Sequence, residues 1–216
     1  MHSLTDLARP GRQAETLAVM LPGALHQPED FVREGFVDAV RRRGLDMDLL
    51  LAGLLFDHVA DEQALPQLHA HLVEPALAAG YRHIWLAGIS IGGYVAMSYA
   101  DRFPGRAAGL FLMAPYPGNR MTTNEIAAAG GIRAWQSGNL AEDDTERRNW
   151  RWLQTHRDVE VHLGYATEDR FAGGHAMMAE ALPPNRVDCI PGGHDWPAWH
   201  SLWQRFLDRR FGASHE

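Results

Sequence analysis

The segment Gly88-Ile89-Ser90-Ile91-Gly92 has the pattern G-x-S-x-G. The apolar run His83 to Ala87 precedes it and a helix is predicted directly after it, so Ser90 would stand on a sharp strand-to-helix turn. Glycines beside such a turn remove Cβ atoms that would clash there. We predict that Ser90 is a nucleophile. We also predict that the amide of Ile91, at the start of the helix, stabilises an oxyanion.

The elements that must position this serine are short apolar runs alternating with segments of helical period. This pattern predicts an α/β fold with a mainly parallel sheet and helices on both faces. Six strands are predicted, with one further strand left open: Leu17–Leu21, Asp48–Leu51, His83–Ala87, Ala108–Met113, Val159–Leu163 and Val187–Ile190. The predicted helices are Glu29–Arg43, Asp61–Ala79 with breaks near Pro66 and Pro75, Gly92–Phe103 and Pro197–Phe211.

With these residues in place, the chain from about Leu17 to Phe211 resembles the α/β-hydrolase family. In that family the catalytic residues follow the order Ser, acid, His. The resemblance implies that His194, in the loop after the last strand, is the base, and that Asp169, after the fifth strand, is the acid. Glu168 is the nearest alternative acid. A variant of the family places the acid one strand earlier, but residues 114–121 contain no carboxylate.

The resemblance also implies a second oxyanion donor in the loop that follows the first strand. Many relatives have His-Gly where this chain has Pro22-Gly23, and the residue after that Gly is the usual donor. We therefore assign the role to Ala24, with Leu25 as the alternative. Leu25, Tyr116 and Trp196 lie next to the predicted chemistry in sequence. Each could line a substrate pocket or pack as an ordinary loop residue, and both interpretations are open.

The composition excludes several classes of function. All 20 basic residues are Arg, so neither a Schiff-base lysine nor a Walker A lysine exists. The net charge of −7 argues against a nucleic-acid partner. No apolar run is long enough to span a membrane, and no cofactor or metal-ligand cluster is predicted. The single cysteine, Cys189, is expected to be a buried structural thiol. With no apolar stretch of signal-peptide length in Met1–Arg12, a cytoplasmic location is expected.

A single domain is expected over residues 1–216, with a small cap or lid at 116–157. The expected function is that of a serine hydrolase cleaving a small, largely apolar carboxylic ester through an acyl-Ser90 intermediate. A thioesterase, an acyltransferase or a carbon–carbon bond hydrolase would use the same triad. Ser90 argues against haloalkane dehalogenase and epoxide hydrolase relatives, which use an Asp. A non-catalytic binding protein on this scaffold is the alternative of another class, and the oligomeric state is left open.

Overall fold

The computed structural model describes residues 2–53, 63–156 and 158–212. Its centre is a seven-stranded sheet with the strand order β1-β3-β2-β4-β5-β6-β7. Strand β1 is antiparallel to β3, and every other neighbouring pair is parallel. The strands are β1 (Ser3–Asp6), β2 (Thr16–Leu21), β3 (Met47–Ala52), β4 (His83–Ile89), β5 (Gly109–Met113), β6 (Glu160–Ala166) and β7 (Val187–Ile190). The predicted α/β class with a mainly parallel sheet is confirmed.

Helices cover both faces of this sheet. Those of the described chain are α1 (Pro28–Arg33), α2 (Phe36–Arg42), α3 (Ala64–Leu68), α4 (Glu74–Ala78), α5 (Ile91–Arg102), α6 (Arg120–Ala128), α7 (Thr145–Thr155), α8 (Ala172–Ala179) and α9 (Trp196–Phe211). A π-helical turn, His69–Val73, joins α3 to α4, and a short 3₁₀ turn, Pro184–Arg186, precedes β7.

The central strands are buried on both faces, as expected for a parallel sheet between two helical layers. In β2, Leu17, Val19 and Leu21 belong to the apolar cluster that contains α5 and α7. Ala18 and Met20 belong to the second cluster, with α2 and α9. The period of two along the strand thus divides its side chains between two cores.

Strand β1 is the element that the predicted six strands did not include. Its four residues, Ser3–Asp6, are mostly polar and only partly buried, so no apolar run marks them. The strand exists because it pairs with the outer edge of β3, a non-local contact that the local pattern does not contain.

Two predicted helices are divided in the structure. The helix predicted over Glu29–Arg43 ends at Arg33 and restarts at Phe36, because Gly35 adopts φ +81°, outside the right-handed helical region. The helix predicted from Asp61 has its first two residues outside the described residues. Its predicted break at Pro66 does not occur, because Pro66 stands in the first turn of α3, where amides need no intrahelical acceptor. The chain departs from α-helical geometry in the π-turn directly before Pro75.

Cys189 is exposed, so the expected buried thiol is wrong. Strand β7 pairs only with β6 at the edge of the sheet. Its side chains alternate, with Asp188 and Ile190 buried on one face and Cys189 exposed on the other. The short apolar run in the sequence therefore marked an edge strand, in which only one face is fully covered.

The segment predicted as a cap, 116–157, contains α6 and α7, and residue 157 lies outside the described residues. Trp150 of α7 is 1% exposed and its indole Nε1 donates to the carbonyl of Pro117 at 2.7 Å. Asn149 accepts a hydrogen bond from the Ser98 hydroxyl of α5 at 3.0 Å. Helix α7 thus packs on the main core as the crossover between β5 and β6, and a mobile cap remains a prediction.

Candidate active site

Ser90 lies between the end of β4 and the start of α5, on a strained turn with φ +53° and ψ −115°. Such a conformation is costly for a residue with a Cβ and persists only when its surroundings fix it. The Ser90 carbonyl accepts hydrogen bonds from the amides of Gly93 at 3.0 Å and Tyr116 at 2.9 Å. The turn requires glycine at position 92, since a Cβ there would lie 2.3 Å from the carbonyl oxygen of Leu21. The structure therefore holds the serine in the geometry that the motif predicted.

His194 lies against this serine. The Ser90 hydroxyl is 2.9 Å from His194 Nε2, and His194 Nδ1 is 2.6 Å from Asp169 Oδ2. With Nδ1 protonated, the imidazole donates to the carboxylate and accepts the serine proton at Nε2. The three side chains, which come from the ends of β4, β6 and β7, form one hydrogen-bonded chain.

Asp169 is buried, with its side chain fully covered. Burial raises the pKa of this carboxyl. Hydrogen bonds from His194 and from the backbone N–H of Phe171, at 2.8 Å, act in the opposite direction, so its pKa lies below the ordinary value. The carboxylate therefore stays ionised and fixes the tautomer of His194. Glu168 is exposed on the same turn, and its backbone amide donates to the carbonyl of Gly192 at 2.9 Å.

The two predicted oxyanion donors lie in different elements. Ile91 is the first residue of α5, where amides have no intrahelical acceptor. Ala24 is exposed in the loop after β2, and that loop is closed by a hydrogen bond from the amide of His26 to the carbonyl of Gly23 at 3.3 Å. Within the described ranges neither the Ile91 nor the Ala24 amide donates to a backbone acceptor. Both remain predicted donors.

The three predicted substrate contacts lie in different surroundings. Leu25 is 89% exposed with φ +66°. Trp196 begins α9 and packs edge-on against Phe31 and Phe36, against the apolar cluster that contains α2 and α9. Tyr116 is partly buried beside the nucleophile turn. Of the three, Tyr116 is the one whose backbone amide donates to the carbonyl of Ser90, and all three assignments stay predictions.

An aromatic row beside the triad joins Tyr116 to two residues, Phe171 and Tyr94, that were not singled out from the sequence. Phe171 contacts the His194 ring edge-on at a centroid distance of 5.4 Å, Tyr116 lies 5.7 Å from Phe171, and Tyr94 lies 5.8 Å from Tyr116. Phe171 borders one cavity of about 460 Å³, and Tyr94 borders another of about 750 Å³. The one sequence signal for Phe171 was its place two residues after the predicted acid.

Two further histidines support the loops of this site. His175 is fully buried and its Nε2 donates to the carbonyl of Pro115 at 2.8 Å, next to the Tyr116 amide that holds Ser90. His26 packs on Trp196 at a centroid distance of 4.7 Å. Burial lowers the pKa of both histidines, so both are neutral near pH 7.

Two absences hold within the parts of the chain that the structure describes. No three His, Cys, Asp or Glu side chains converge as a metal site. None of the helices described above is long and apolar enough to cross a bilayer.

No family model matches the sequence, and no curated protein matches it. The fold, in contrast, matches many solved structures. It is similar to a ferulic acid esterase, with a TM-score of 0.67 and 14% identity, and the match covers 95% of this chain and 96% of the esterase chain. A Paleococcus ferrophilus monoacylglycerol lipase matches over 100% and 99%, with a TM-score of 0.62 and 14% identity. MGS-MChE2, an α/β-hydrolase enzyme from a lagoon sediment metagenome in Morocco, matches over 97% and 95%, with a TM-score of 0.63 and 18% identity. These likenesses show the α/β-hydrolase fold.

Proposed function

We propose that this chain is a serine hydrolase that cleaves carboxylic esters through an acyl-Ser90 intermediate. The observation that carries the proposal is the continuous hydrogen-bonded chain Ser90–His194–Asp169, with atom separations of 2.9 and 2.6 Å. A nucleophile, a base and a group that orients the base within hydrogen-bond reach are what acyl transfer requires. Several structural neighbours are named as esterases or lipases, which favours an ester over other acyl bonds.

The mechanism follows from the roles of the three side chains. His194 Nε2 takes the proton as Ser90 Oγ attacks the substrate carbonyl, and Asp169 stabilises the imidazolium that forms. The developing oxyanion is stabilised by the amides of Ile91 and Ala24, each worth on the order of 3 kcal/mol in such sites. The protonated His194 then donates its proton to the leaving alcohol. Water activated by the same imidazole releases the acid and restores Ser90.

The first test compares the chain with its Ser90→Ala variant. We expect hydrolysis of 4-nitrophenyl butyrate to fall by roughly 10³-fold or more in kcat/KM, because the covalent step is lost. Labelling by a fluorophosphonate should map to Ser90 and disappear in the variant. Ser137→Ala, which removes a loop serine outside the triad, is the matched control and should keep both properties.

The outcomes separate the alternatives. Equal hydrolysis by wild type and Ser90→Ala would disprove the triad mechanism. A wild-type protein that is folded, unlabelled and inactive on esters and thioesters would point to the binding protein on a hydrolase scaffold. Faster turnover of a thioester than of the matched oxygen ester would support the triad mechanism but identify the protein as a thioesterase.

A further inference from the structure

One residue, Phe171, lies between the triad and the cavity of about 460 Å³. Phe171 lines this cavity, and its ring also contacts His194 and Tyr116. Phe171 thus adjoins both His194 and the cavity, which is therefore a candidate site for a part of the substrate that reaches beyond this ring. The size is within the range of small-molecule sites.

Two arginines, Arg120 and Arg170, line this cavity. Most arginines of the described chain are paired with Asp or Glu, as in the Arg43–Asp208 pair at 2.6 Å. Within residues 2–53, 63–156 and 158–212, no carboxylate lies within ion-pair distance of Arg120 or Arg170. The guanidinium of Arg170 lies 4.8 Å from the centroid of the Phe171 ring, which keeps it at the side of the cavity that adjoins the triad. In a chain with a net charge of −7, two unpaired cations at one cavity form a local positive site.

Two carboxylates next to residues that line this cavity, Glu146 and Asp169, already have hydrogen-bond donors. Glu146 lies behind Gly118, and its Oε2 accepts from the backbone N–H of Asn119 at 3.0 Å and from the Thr122 hydroxyl at 2.8 Å. Both oxygens of Asp169 are bonded, one to His194 and one to the Phe171 amide. Among the described residues neither carboxylate forms an ion pair with Arg120 or Arg170, so the donors of both guanidinium groups remain available to a ligand.

Part of the remaining wall is backbone. Gly173 lines the cavity in the first turn of α8, and a Cβ at this position would meet no atom within 4 Å. Amides in the first turn of a helix favour a negative group nearby, which adds to the effect of the arginines.

We propose that this cavity is a subsite for a carboxylate, so that the substrate is an ester that carries a free carboxylate group in addition to the ester bond. The inference rests on the proposed function and specifies its substrate class. A planar carboxylate matches the fork of guanidinium N–H donors. The arginines bind and orient this group, while the bond cleaved stays at Ser90.

The experiment uses two pairs of substrates. Within each pair, one member has a free carboxylate and the other has the same group as a neutral methyl ester. In the first pair, 4-nitrophenyl hydrogen adipate and 4-nitrophenyl methyl adipate, the carboxyl group is on the acyl side. In the second pair, 4-acetoxybenzoate and its methyl ester, it is on the alcohol side. After correction for their rates with hydroxide, the wild type should favour the carboxylate member of one pair in kcat/KM. Arg120→Gln and Arg170→Gln should each reduce that preference by about fivefold, mainly through KM, for a loss near 1 kcal/mol.

Arg82→Gln is the matched control, because it removes one exposed arginine that pairs with Glu15 at the opposite end of the sheet. It should leave the preference unchanged. Binding of monomethyl adipate and of dimethyl adipate to the Ser90→Ala variant, which lacks the nucleophile, is measured by calorimetry and gives a readout that does not depend on turnover. This variant should bind the monoanion more tightly than the neutral diester, and the advantage should weaken as salt is added.

The two proposals fail in different ways. Hydrolysis of the neutral esters with no preference for either carboxylate partner would overturn the subsite and leave the esterase proposal standing. An equal loss in Arg82→Gln would also overturn it, since the effect would then be one of net charge. A protein that is inactive and unlabelled by fluorophosphonate, yet binds monomethyl adipate through Arg120 and Arg170, would support the subsite while overturning the esterase proposal.

Discussion

At the scale of single residues, the site depends on environments that give neighbouring groups different tasks. Glu168 and Asp169 are adjacent carboxylates in the same turn, yet one is exposed and the other is buried against His194. The buried one accepts two hydrogen bonds that keep its pKa below the ordinary value. Placement alone therefore decides which of the two can orient the base.

We expect Asp169→Asn to lower kcat/KM for 4-nitrophenyl butyrate by about 10³- to 10⁴-fold, since an amide can donate to Nδ1 and favour the wrong tautomer of His194. Glu168→Gln removes the same charge one residue earlier and should change kcat/KM less than about threefold, as an exposed group that touches no triad atom. Steady-state kinetics of both variants, with circular dichroism to check folding, decides the assignment. A larger loss in Glu168→Gln than in Asp169→Asn would exchange the two roles.

The convergence of Ser90, Asp169 and His194 was predictable because the signal is local and ordered. Ser90 follows an apolar strand and opens a helix, and Asp169 and His194 follow the next strands of the same kind. The carboxyl ends of parallel strands meet at one edge of the sheet, so position along the chain predicts proximity in space. Phe171, Tyr94 and the two cavities could not be predicted in this way, because they depend on side-chain packing between loops.

At the scale of elements, one buried carboxylate adds to the pairing of β1 with β3 in holding the N-terminal segment to the sheet. Asp48, in β3, is fully buried and accepts hydrogen bonds from the amides of Ala8 at 2.8 Å and Ala14 at 3.0 Å, and from the Tyr81 hydroxyl at 2.8 Å. It thereby ties the segment between β1 and β2 to the amino end of the sheet. The sequence showed Asp48 only as the first residue of a strand, since its partners lie more than 30 residues away.

We expect Asp48→Asn to lower the free energy of unfolding by about 2–3 kcal/mol, because an amide offers one acceptor oxygen in place of two and buries unpaired donors. The loss should appear as a lower urea midpoint. Asp46→Asn is the control two residues earlier: this aspartate is exposed and pairs loosely with Arg9 and Arg12 at 3.6 and 3.8 Å. It should change stability by less than about 0.5 kcal/mol, and equal effects would show that Asp48 does not carry the attachment.

Helix breaks show where prediction from the local pattern ends. The apolar period over residues 29–43 is continuous, but Gly35 takes a left-handed conformation that separates α1 from α2. Gly35 was a weak signal within an otherwise helical pattern. The edge strand β1 and the exposure of Cys189 likewise follow from which neighbours lie beside each strand, information that exists only in the assembled sheet.

At the scale of the whole molecule, several histidines couple the fold to pH. Burial is the largest cause that lowers the pKa of His26, His162 and His175. In each case the folded chain holds the histidine neutral to a lower pH than the unfolded chain does. As pH falls below about 6.5, the unfolded state takes up protons that the folded state refuses, so stability decreases. Well above a pH of about 6.5 the histidine is neutral in both the folded and the unfolded state, and no stability is lost in this way.

His175 gives the sharpest test of this coupling, because it is fully buried and its Nε2–H donates to the carbonyl of Pro115 beside the nucleophile turn. Its Nδ1 has no hydrogen-bond partner among the described residues, so a second proton there would be buried without an acceptor. We expect His175→Gln, which keeps a donor and does not titrate, to make the free energy of unfolding less dependent on pH between about 7.5 and 5. The slope should decrease by up to about 1.4 kcal/mol per pH unit. Urea titrations at each pH measure it, and the exposed His71→Gln should keep the wild-type slope. If the free energy of unfolding of His175→Gln depends on pH as strongly as that of the wild type, this buried imidazole does not set the acid sensitivity of the fold.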